Sequence, residues 1–374
     1  MAGIYIHIPF CRQACHYCNF HFSTSLQLKN DFITALLGEI ALQKSYLKDE
    51  EVKTIYFGGG TPSILSTEEL KKILKAVYST YQIGPTPEIT LEANPDDINA
   101  DKLNQWKEIG INRFSIGIQS FFDEDLQWMN RVHTATEAEQ CIKQVREAGF
   151  ENFSIDLIYG GPTLTDEHWR QNIEKVIALN IPHISCYALA VEPKTALDKM
   201  IQQKKKEAVD AEKQAKHFLL LMEALRKEGY EHYEISNFAK PGFRSKHNSS
   251  YWLGNNYLGL GPSAHSFNGK SRQWNIANNA LYIQSLKTNE LNFEKEELTT
   301  TQRLNEYIMV SLRTMEGLDL NYVKEKFGEA FSNKLHSSAI SNKYNSKLLT
   351  LNSKLTLTDE GKLFADGIAA DLFF

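Results

Sequence analysis

The chain has 374 residues, of which 42% are hydrophobic and 23% charged, and its formal net charge is −5. This balance is typical of a soluble globular protein, and the negative charge argues against a general nucleic-acid-binding protein. No run approaches the roughly 20 apolar residues that span a bilayer, and the N-terminus lacks the pattern of a signal peptide. We therefore expect a cytoplasmic protein with one large domain and one smaller one.

Short β-branched or aromatic runs alternate with longer amphipathic stretches over the first half of the chain. The predicted strands are 4–8, 54–57, 88–92, 114–118, 153–158 and 184–190. The predicted helices between them are 31–47, 67–81, 100–109, 136–148 and 165–179. This alternation predicts a parallel sheet whose binding sites lie at the carboxyl ends of the strands. Periodicity alone leaves open whether the sheet is doubly wound or forms an open barrel.

The second half of the chain has a different pattern. A long helix is predicted over 204–228, and the segment 229–285, rich in Gly, Asn, Ser, Tyr and Trp, reads as loop-like. From about Thr299 the pattern predicts helices and one strand, with a last helix capped near Thr358. We divide the chain into a core with its extension, residues 1–290, and a helical, winged-helix-like C-terminal domain, residues 291–374.

Three of the five cysteines form the array Cys11-x3-Cys15-x2-Cys18 directly after the first predicted strand. Such crowding in a reducing compartment favours metal or cluster ligands over disulfides. Three thiolates can ligate three irons of a [4Fe–4S] cluster and leave the fourth iron open for the amino and carboxylate groups of S-adenosylmethionine (SAM). The alternative is a structural zinc site completed by His16 or His21.

The two remaining cysteines are predicted to be core residues. Cys141 lies on the apolar face of a predicted helix, and Cys186 alternates within a predicted strand. Buried free cysteines usually act as small hydrophobic side chains.

A glycine run, Gly58-Gly59-Gly60-Thr61-Pro62, follows the second predicted strand. Glycines allow the backbone to approach a ligand closely and leave main-chain groups free to bind it. Polar residues occur at or near the ends of the next three strands, namely Glu92, Gln119 and Asp156. Because parallel strands end at one edge of a sheet, we expect these residues to converge on a single site.

The motifs occur in a fixed order along nearly the whole chain. After the cysteine array and the glycine run come Leu91-Glu92-Ala93-Asn94-Pro95, Gly117-Ile118-Gln119-Ser120, Asn130-Arg131-Val132-His133 and Asp156-Leu157-Ile158-Tyr159-Gly160-Gly161-Pro162. This series resembles the oxygen-independent coproporphyrinogen III oxidase family of radical SAM proteins. The resemblance implies an α/β fold, an open (β/α)6 partial TIM-type barrel, with a smaller, mainly helical C-terminal domain.

The same resemblance implies particular binding residues. It places SAM beside Tyr5, Gly59, Gly60, Thr61 and Glu92, with Ile276 near that site. It places a second SAM site at Tyr17, Gln119, Arg131, Asp156 and Ala190. From residue chemistry alone, a carboxylate can bind an amine or a ribose hydroxyl, and a guanidinium can bind a carboxylate through two hydrogen bonds.

Two departures separate the chain from the oxidases. They carry a further cysteine two residues after the third ligand, where this chain has Phe20, and an N-terminal arm, whereas here Tyr5 begins the barrel almost at once. Both departures resemble the neighbouring haem-chaperone branch of the family. The stretch Lys246-His247-Asn248-Ser249-Ser250-Tyr251-Trp252 matches the H-N-x-x-Y-W haem-binding motif of that branch.

The chaperone resemblance implies three bound groups: a [4Fe–4S] cluster, SAM and haem, with His247 as an axial ligand of the haem iron. It also implies delivery of haem to acceptor proteins such as respiratory enzymes, and it is compatible with transient membrane association and a homodimer. The alternative activity is the SAM-dependent oxidative decarboxylation of coproporphyrinogen III to protoporphyrinogen IX.

Overall fold

The computed structural model of the protein describes residues 2–48, 50–341 and 343–374. Its strands are β1 (Ala2–Ile8), β2 (Val52–Gly59), β3 (Ile83–Ala93), β4 (Arg113–Gln119), β5 (Phe153–Tyr159), β6 (His183–Ala188), β7 (Glu231–Glu234), β8 (Asn237–Ala239), β9 (Asn256–Leu260), β10 (His265–Phe267), β11 (Ser271–Asn275), β12 (Phe293–Glu297), β13 (Leu318–Asp319), β14 (Leu348–Leu351) and β15 (Lys354–Leu357).

Helices connect most of these strands. They are α1 (Lys29–Leu42), α2 (Thr67–Thr80), α3 (Ala100–Glu108), α4 (Asp123–Trp128), α5 (Ala135–Glu147), α6 (Asp166–Ala178), α7 (Ala196–Gln202), α8 (Ala211–Lys227), α9 (Lys246–Trp252), α10 (Asn279–Lys287), α11 (Thr300–Leu312), α12 (Leu320–Phe327), α13 (Glu329–Ser341), α14 (Asp359–Lys362) and α15 (Ala365–Asp371). None of the described helices combines the length and hydrophobicity that a membrane crossing requires.

The six predicted strands are confirmed as β1 to β6, which pair side by side in parallel. Their outer neighbours are β9, beside β1, and β8, beside β6, so β1 and β6 do not meet and the sheet stays open. The full sheet has twelve strands in the order β12-β11-β10-β9-β1-β2-β3-β4-β5-β6-β8-β7. The predicted open α/β architecture is thus confirmed. Further strands extend the sheet beyond β1 and β6, and they pair antiparallel except β9, which pairs parallel with β1.

Capping residues fix the starts of several helices between the strands. The Ser66 and Thr134 side chains each accept a hydrogen bond from the backbone three residues later, and Glu69 and Glu137 complete the two capping boxes. These reciprocal bonds satisfy backbone N–H groups that the first helical turn leaves unpaired. The helices are thereby held against the sheet with their apolar faces inward, as α5 shows with buried Ala138, Ile142 and Val145.

The prediction of one helix over 204–228 is wrong at its N-terminal end. Lys204 adopts a left-handed backbone conformation, with φ of 56°, just after α7. The Asp210 side chain then accepts hydrogen bonds from the backbone N–H groups of Glu212 and Lys213, and α8 begins there. A side chain that caps a helix competes with continuation of the helix before it.

The prediction that residues 229–285 form a loop-like segment is also wrong. This segment contains β7 to β11, α9 and most of α10, and it supplies all strands of both sheet extensions except β12. Its strands are short and gain their hydrogen bonds from distant strands, such as the parallel pairing of β9 with β1. Composition therefore could not reveal them, because the stability of such short strands depends on their distant partners more than on their own residues.

Two main hydrophobic clusters fill the interior, and a third, small one consists of Leu126, Met129, Ile158, Leu189 and Leu197. The larger lies between the sheet and its helices and includes the fully buried Trp106 and Trp169. The smaller joins α11 to α15 with the three-stranded sheet β13-β15-β14. A division at residues 290 and 291 stays a prediction, and β12 lies after that point in the chain while pairing with β11 of the large sheet.

Candidate functional site

A cavity of about 490 Å³ lies at the carboxyl ends of β1 to β6. Most of the sequence-predicted site residues line it together: Cys11, Cys15, Tyr17, Cys18, Gly59, Gly60, Thr61, Glu92, Gln119, Arg131, Asp156 and Ala190. The expected convergence of strand ends on one site is therefore present. Tyr5, His247 and Ile276 do not line this cavity.

The cysteine loop follows β1 and is held from two sides. The Cys11 N–H donates to the Ser23 carbonyl at 3.0 Å, and the Asn130 side-chain amide donates to the Ala14 carbonyl at 2.8 Å. The Arg12 guanidinium lies 2.8 Å from the buried Asp97 carboxylate. These contacts fix the direction in which the three half-buried thiols face the cavity.

Polar donors lie next to two of the thiols. The Thr61 hydroxyl donates to Cys11 Sγ at 3.4 Å, and the Arg131 guanidinium donates to Cys15 Sγ at 3.4 Å. Burial raises the pKa of Cys11 to about 11, with the Thr61 hydrogen bond acting in the opposite direction. Iron ligation requires thiolates, so donors of this kind favour the ligating form. Three thiols around one open space fit a [4Fe–4S] cluster.

The alternative of a mononuclear zinc site finds no support in the histidines. His16 Nδ1 lies 3.0 Å from the Trp128 carbonyl, and His21 Nε2 lies 2.7 Å from the Asn279 side-chain oxygen. Across residues 2–48, 50–341 and 343–374, no three His, Cys, Asp or Glu side chains converge closely enough to hold a single metal ion. A cubane spans a larger space between its ligands than one ion does.

The glycine run packs closely against the end of β1 and the residues that follow it. A Cβ on Gly60 would lie 2.6 Å from the Phe10 carbonyl oxygen and 2.8 Å from that of Ile8. Gly59 has a φ of 106°, and a Cβ there would lie 2.5 Å from His7 Nδ1. The expectation that glycine is needed for ligand approach is therefore incomplete, because the end of β1 also requires it. A bulky residue at Gly60 would disturb the start of the cysteine loop.

Two carboxyl groups face the cavity from β3 and β5. Glu92 accepts hydrogen bonds from the Tyr56 hydroxyl at 2.8 Å and from the Gly59 N–H at 3.2 Å. Burial, with a smaller contribution from Asp156, raises the pKa of Glu92 to about 7. Burial likewise raises the pKa of Asp156 to about 6. Carboxyl groups with raised pKa values gain most from a bound cation or hydroxyl donor.

Arg131 joins the cysteine loop to β4. Besides Cys15, its guanidinium donates to the Asn94 side-chain oxygen at 2.7 Å and to the Gly117 carbonyl at 2.8 Å. Its Nε is buried without a partner among the described residues. Asn94 and Gly117 were not singled out as site residues, although both stand inside motifs that the sequence displays.

Gln119 completes this wall of the cavity in a left-handed conformation, with φ of 67°. A Cβ on Gly117 would lie 2.9 Å from the Gln119 side-chain nitrogen and 3.1 Å from the Arg131 guanidinium. A residue other than Gly at position 117 would therefore displace both polar side chains.

Tyr5 and Ile276 lie outside the cavity lining. The Tyr5 hydroxyl lies 3.1 Å from His7 Nδ1, and its ring stacks on Tyr56, whose hydroxyl donates to the cavity residue Glu92. Ile276 is partly buried against the large hydrophobic cluster, and its N–H donates to the Asn292 carbonyl. Neither side chain lines the cavity in which SAM is predicted to bind.

His247 lies in α9 and is 1% exposed. Its Nδ1 is 2.8 Å from the Thr54 hydroxyl, and its Nε2 is 2.8 Å from the Tyr251 hydroxyl. The ring also stacks on Tyr56 at a centroid distance of 4.9 Å. Neither ring nitrogen is free for iron in this arrangement, so ligation by His247 stays a prediction that requires α9 to move.

Arg244, three residues before His247, is engaged by two carboxylates. Its guanidinium contacts Glu231 at 2.9 Å and Glu316 at 2.7 Å. The two cysteines predicted to be core residues are confirmed as such, with Cys141 2% and Cys186 1% exposed.

Comparisons with known proteins agree with this geometry. Residues 5–176 match the model of the radical SAM superfamily, and residues 298–364 match that of the HemN C-terminal domain. The heme chaperone HemW of Bacillus subtilis is 34% identical over 372 residues, which cover 98% of each chain. That of Lactococcus lactis is 32% identical and covers 96% of this chain and 93% of its own.

The chain belongs to the HemW family. Its superfamily membership implies a [4Fe–4S] cluster and SAM as cofactors. The solved structure of the coproporphyrinogen III oxidase HemN from Escherichia coli has the same fold, with a TM-score of 0.86 over all of this chain and 90% of that one. Its 22% identity supports the fold alone.

Proposed function

We propose that this protein is a haem chaperone that binds haem and passes it to acceptor proteins, on a scaffold that holds a [4Fe–4S] cluster and SAM. The observation that carries the proposal is the match, over nearly the whole chain, to proteins named heme chaperone. Respiratory enzymes as acceptors, a cytoplasmic location, transient contact with the membrane and a homodimer belong to the same proposal.

The cavity residues have defined roles in this proposal. Cys11, Cys15 and Cys18 would ligate three irons, and the cluster would supply the electron for reductive cleavage of SAM. Glu92 and the backbone of Gly59 to Thr61 would hold the SAM beside the open iron. Arg131 would keep the loop in place through Cys15.

A second set of cavity residues would bind a second SAM. Tyr17, Gln119, Arg131, Asp156 and Ala190 line one side of the same cavity. The unpaired Nε of Arg131 and the Asp156 carboxyl group offer a donor and an acceptor there. A carboxylate and an amine, as in the methionine part of SAM, match these two groups.

One position supports the chaperone over the oxidase. Where the oxidases carry a further cysteine, this chain has Phe20, which is 66% exposed and lies at the cavity lining. An exposed phenyl ring supplies neither a thiol nor a proton to a substrate. A porphyrinogen decarboxylation that used such a thiol would find no equivalent group at this position.

The test uses the full chain with its cluster reconstituted without oxygen. We expect it to bind hemin and to transfer it to the haem-free form of a respiratory haem enzyme, measured by the recovery of that enzyme's activity. Coproporphyrinogen III, SAM and dithionite would be incubated with the same preparation and the porphyrins separated by chromatography. Formation of protoporphyrinogen IX would favour the oxidase, and failure to bind hemin would contradict the chaperone proposal.

A further inference from the structure

Two side chains of β2 hold the His247 imidazole in place. Thr54 and Tyr56 are two residues apart on this strand, so they point to the same face of the sheet. The Thr54 hydroxyl lies 2.8 Å from His247 Nδ1, and the Tyr56 ring stacks on the imidazole with an interplanar angle of 23°. Iron ligation by His247 therefore requires the imidazole to leave both side chains.

Tyr56 also contacts a residue of the cavity. Its hydroxyl donates to Glu92 Oε1 at 2.8 Å, while the Gly59 N–H donates to Oε2 at 3.2 Å. The phenol is one rigid unit, so a shift of its hydroxyl also shifts the face that packs on His247. One buried ring thus connects the carboxyl group proposed to bind SAM with the imidazole proposed to bind the haem iron.

The remaining contacts of His247 do not lead to the cavity. Within residues 2–48, 50–341 and 343–374, its second ring partner is Tyr251, one turn further along α9, whose hydroxyl lies 2.8 Å from Nε2. The buried Glu88 carboxylate accepts hydrogen bonds from the backbone N–H groups of Lys246 and His247. Of these partners, only Tyr56 also donates a side-chain hydrogen bond to a residue that lines the cavity.

We propose that Tyr56 is a positioning residue that couples the binding of SAM to the binding of haem, an inference that rests on the proposed function. An amine or ribose hydroxyl of SAM at Glu92 competes with the Tyr56 hydroxyl for the same carboxyl group. An acceptor shared by two donors binds each of them less strongly, so the Tyr56 ring is held less firmly.

The consequence for haem follows from the populations of two states. When Tyr56 is held less firmly, the stack on His247 weakens, and the state with the imidazole free for iron becomes more populated. The apparent affinity of a ligand rises with the fraction of protein in the state that can bind it. SAM therefore tightens haem binding, and haem tightens SAM binding by the same factor.

The test is a hemin titration of the full chain with its cluster in place, with and without saturating SAM. No reductant is added, so that SAM is not cleaved. We expect SAM to lower the hemin dissociation constant at least about fivefold, the lower end of coupling between two sites. The reciprocal titration of SAM with and without hemin should give the same factor and requires no variant. A factor of one or below in either titration would overturn the inference.

Two variants of β2 separate this route from a direct contact between the two ligands. Tyr56→Phe keeps the ring but loses the bond to Glu92, so it should bind hemin more tightly without SAM and lose the effect of SAM. Thr54→Val, the matched control, removes a hydroxyl that touches His247 alone, so it should bind hemin more tightly and keep the effect of SAM.

Two outcomes with these variants would count against Tyr56. An effect of SAM that persists at full size in Tyr56→Phe would show that the ligands communicate by another route, and the inference would be overturned. An equal loss of the effect in both variants would indicate a general loosening of β2 and would overturn it as well. Absence of hemin binding by the unaltered protein would instead refute the proposed function.

Discussion

Replacement of Gly60 by valine tests how tightly the glycine run is joined to the cysteine loop. The new Cβ would lie 2.6 Å from the Phe10 carbonyl oxygen and 2.9 Å from the Phe10 nitrogen, distances that backbone atoms cannot accommodate without moving. Two hydrogen bonds cross the same junction: the Gly60 N–H donates to the Ile8 carbonyl at 2.9 Å, and the Thr61 N–H donates to the Phe10 carbonyl at 2.7 Å.

The expected cost follows from these contacts. Overpacking of a close junction costs about 1–3 kcal/mol, and each lost hydrogen bond costs about 1 kcal/mol net. We therefore expect Gly60→Val to destabilise the protein by roughly 3–5 kcal/mol. Since Phe10 directly precedes Cys11, we also expect less iron to be retained after reconstitution.

Urea denaturation of the cluster-free protein measures the stability, and iron per chain after anaerobic reconstitution measures the cluster. Gly38→Val is the matched control, because a Cβ on Gly38 meets no heavy atom within 4 Å. If Gly60→Val kept its urea midpoint and its full iron content and lost only SAM affinity, the clash would be with the ligand and our reasoning would be refuted.

Three further predictions concern the cavity. Cys15→Ala should abolish the visible absorption of the cluster, whereas Cys141→Ala, in the buried face of α5, should retain it; a full [4Fe–4S] spectrum in Cys15→Ala would end the ligand assignment. Arg131→Met should lower the reduction potential of the cluster, because hydrogen bonds to the cluster sulfurs and nearby positive charge stabilise the reduced form. An unchanged potential in a redox titration would show that the contact between Arg131 and Cys15 is lost once the cluster binds. The pKa of Glu92 in the folded protein, about 7, lies above its ordinary value of 4.5. Between these two pH values the folded cluster-free protein therefore binds more protons than the unfolded chain. Its stability consequently falls as the pH rises from 4.5 to about 7. Glu92→Gln should remove this loss, which amounts to about 3 kcal/mol. A urea midpoint with the same pH dependence in both proteins would contradict the assignment.

The sequence by itself was enough to locate the parts of the site that are local. The cysteine loop, the glycine run and the polar residues at the ends of β3, β4 and β5 were all predicted to face one site, and they line one cavity. The physical reason is that parallel strands end at one edge of the sheet, so residues just after each strand meet without any knowledge of the packing.

The tertiary structure alone decided the contacts between distant segments. Arg131 reaches Cys15 across 116 positions of the chain, and Gly60 is pressed against the end of β1. The histidine of the H-N-x-x-Y-W motif proved to be buried against Thr54, while His265 at the start of β10 is exposed. Spacing within one loop is limited by covalent geometry, whereas the burial and the partners of a side chain depend on which distant segments pack together. The pairing of short strands depends on those partners and leaves little trace in local composition.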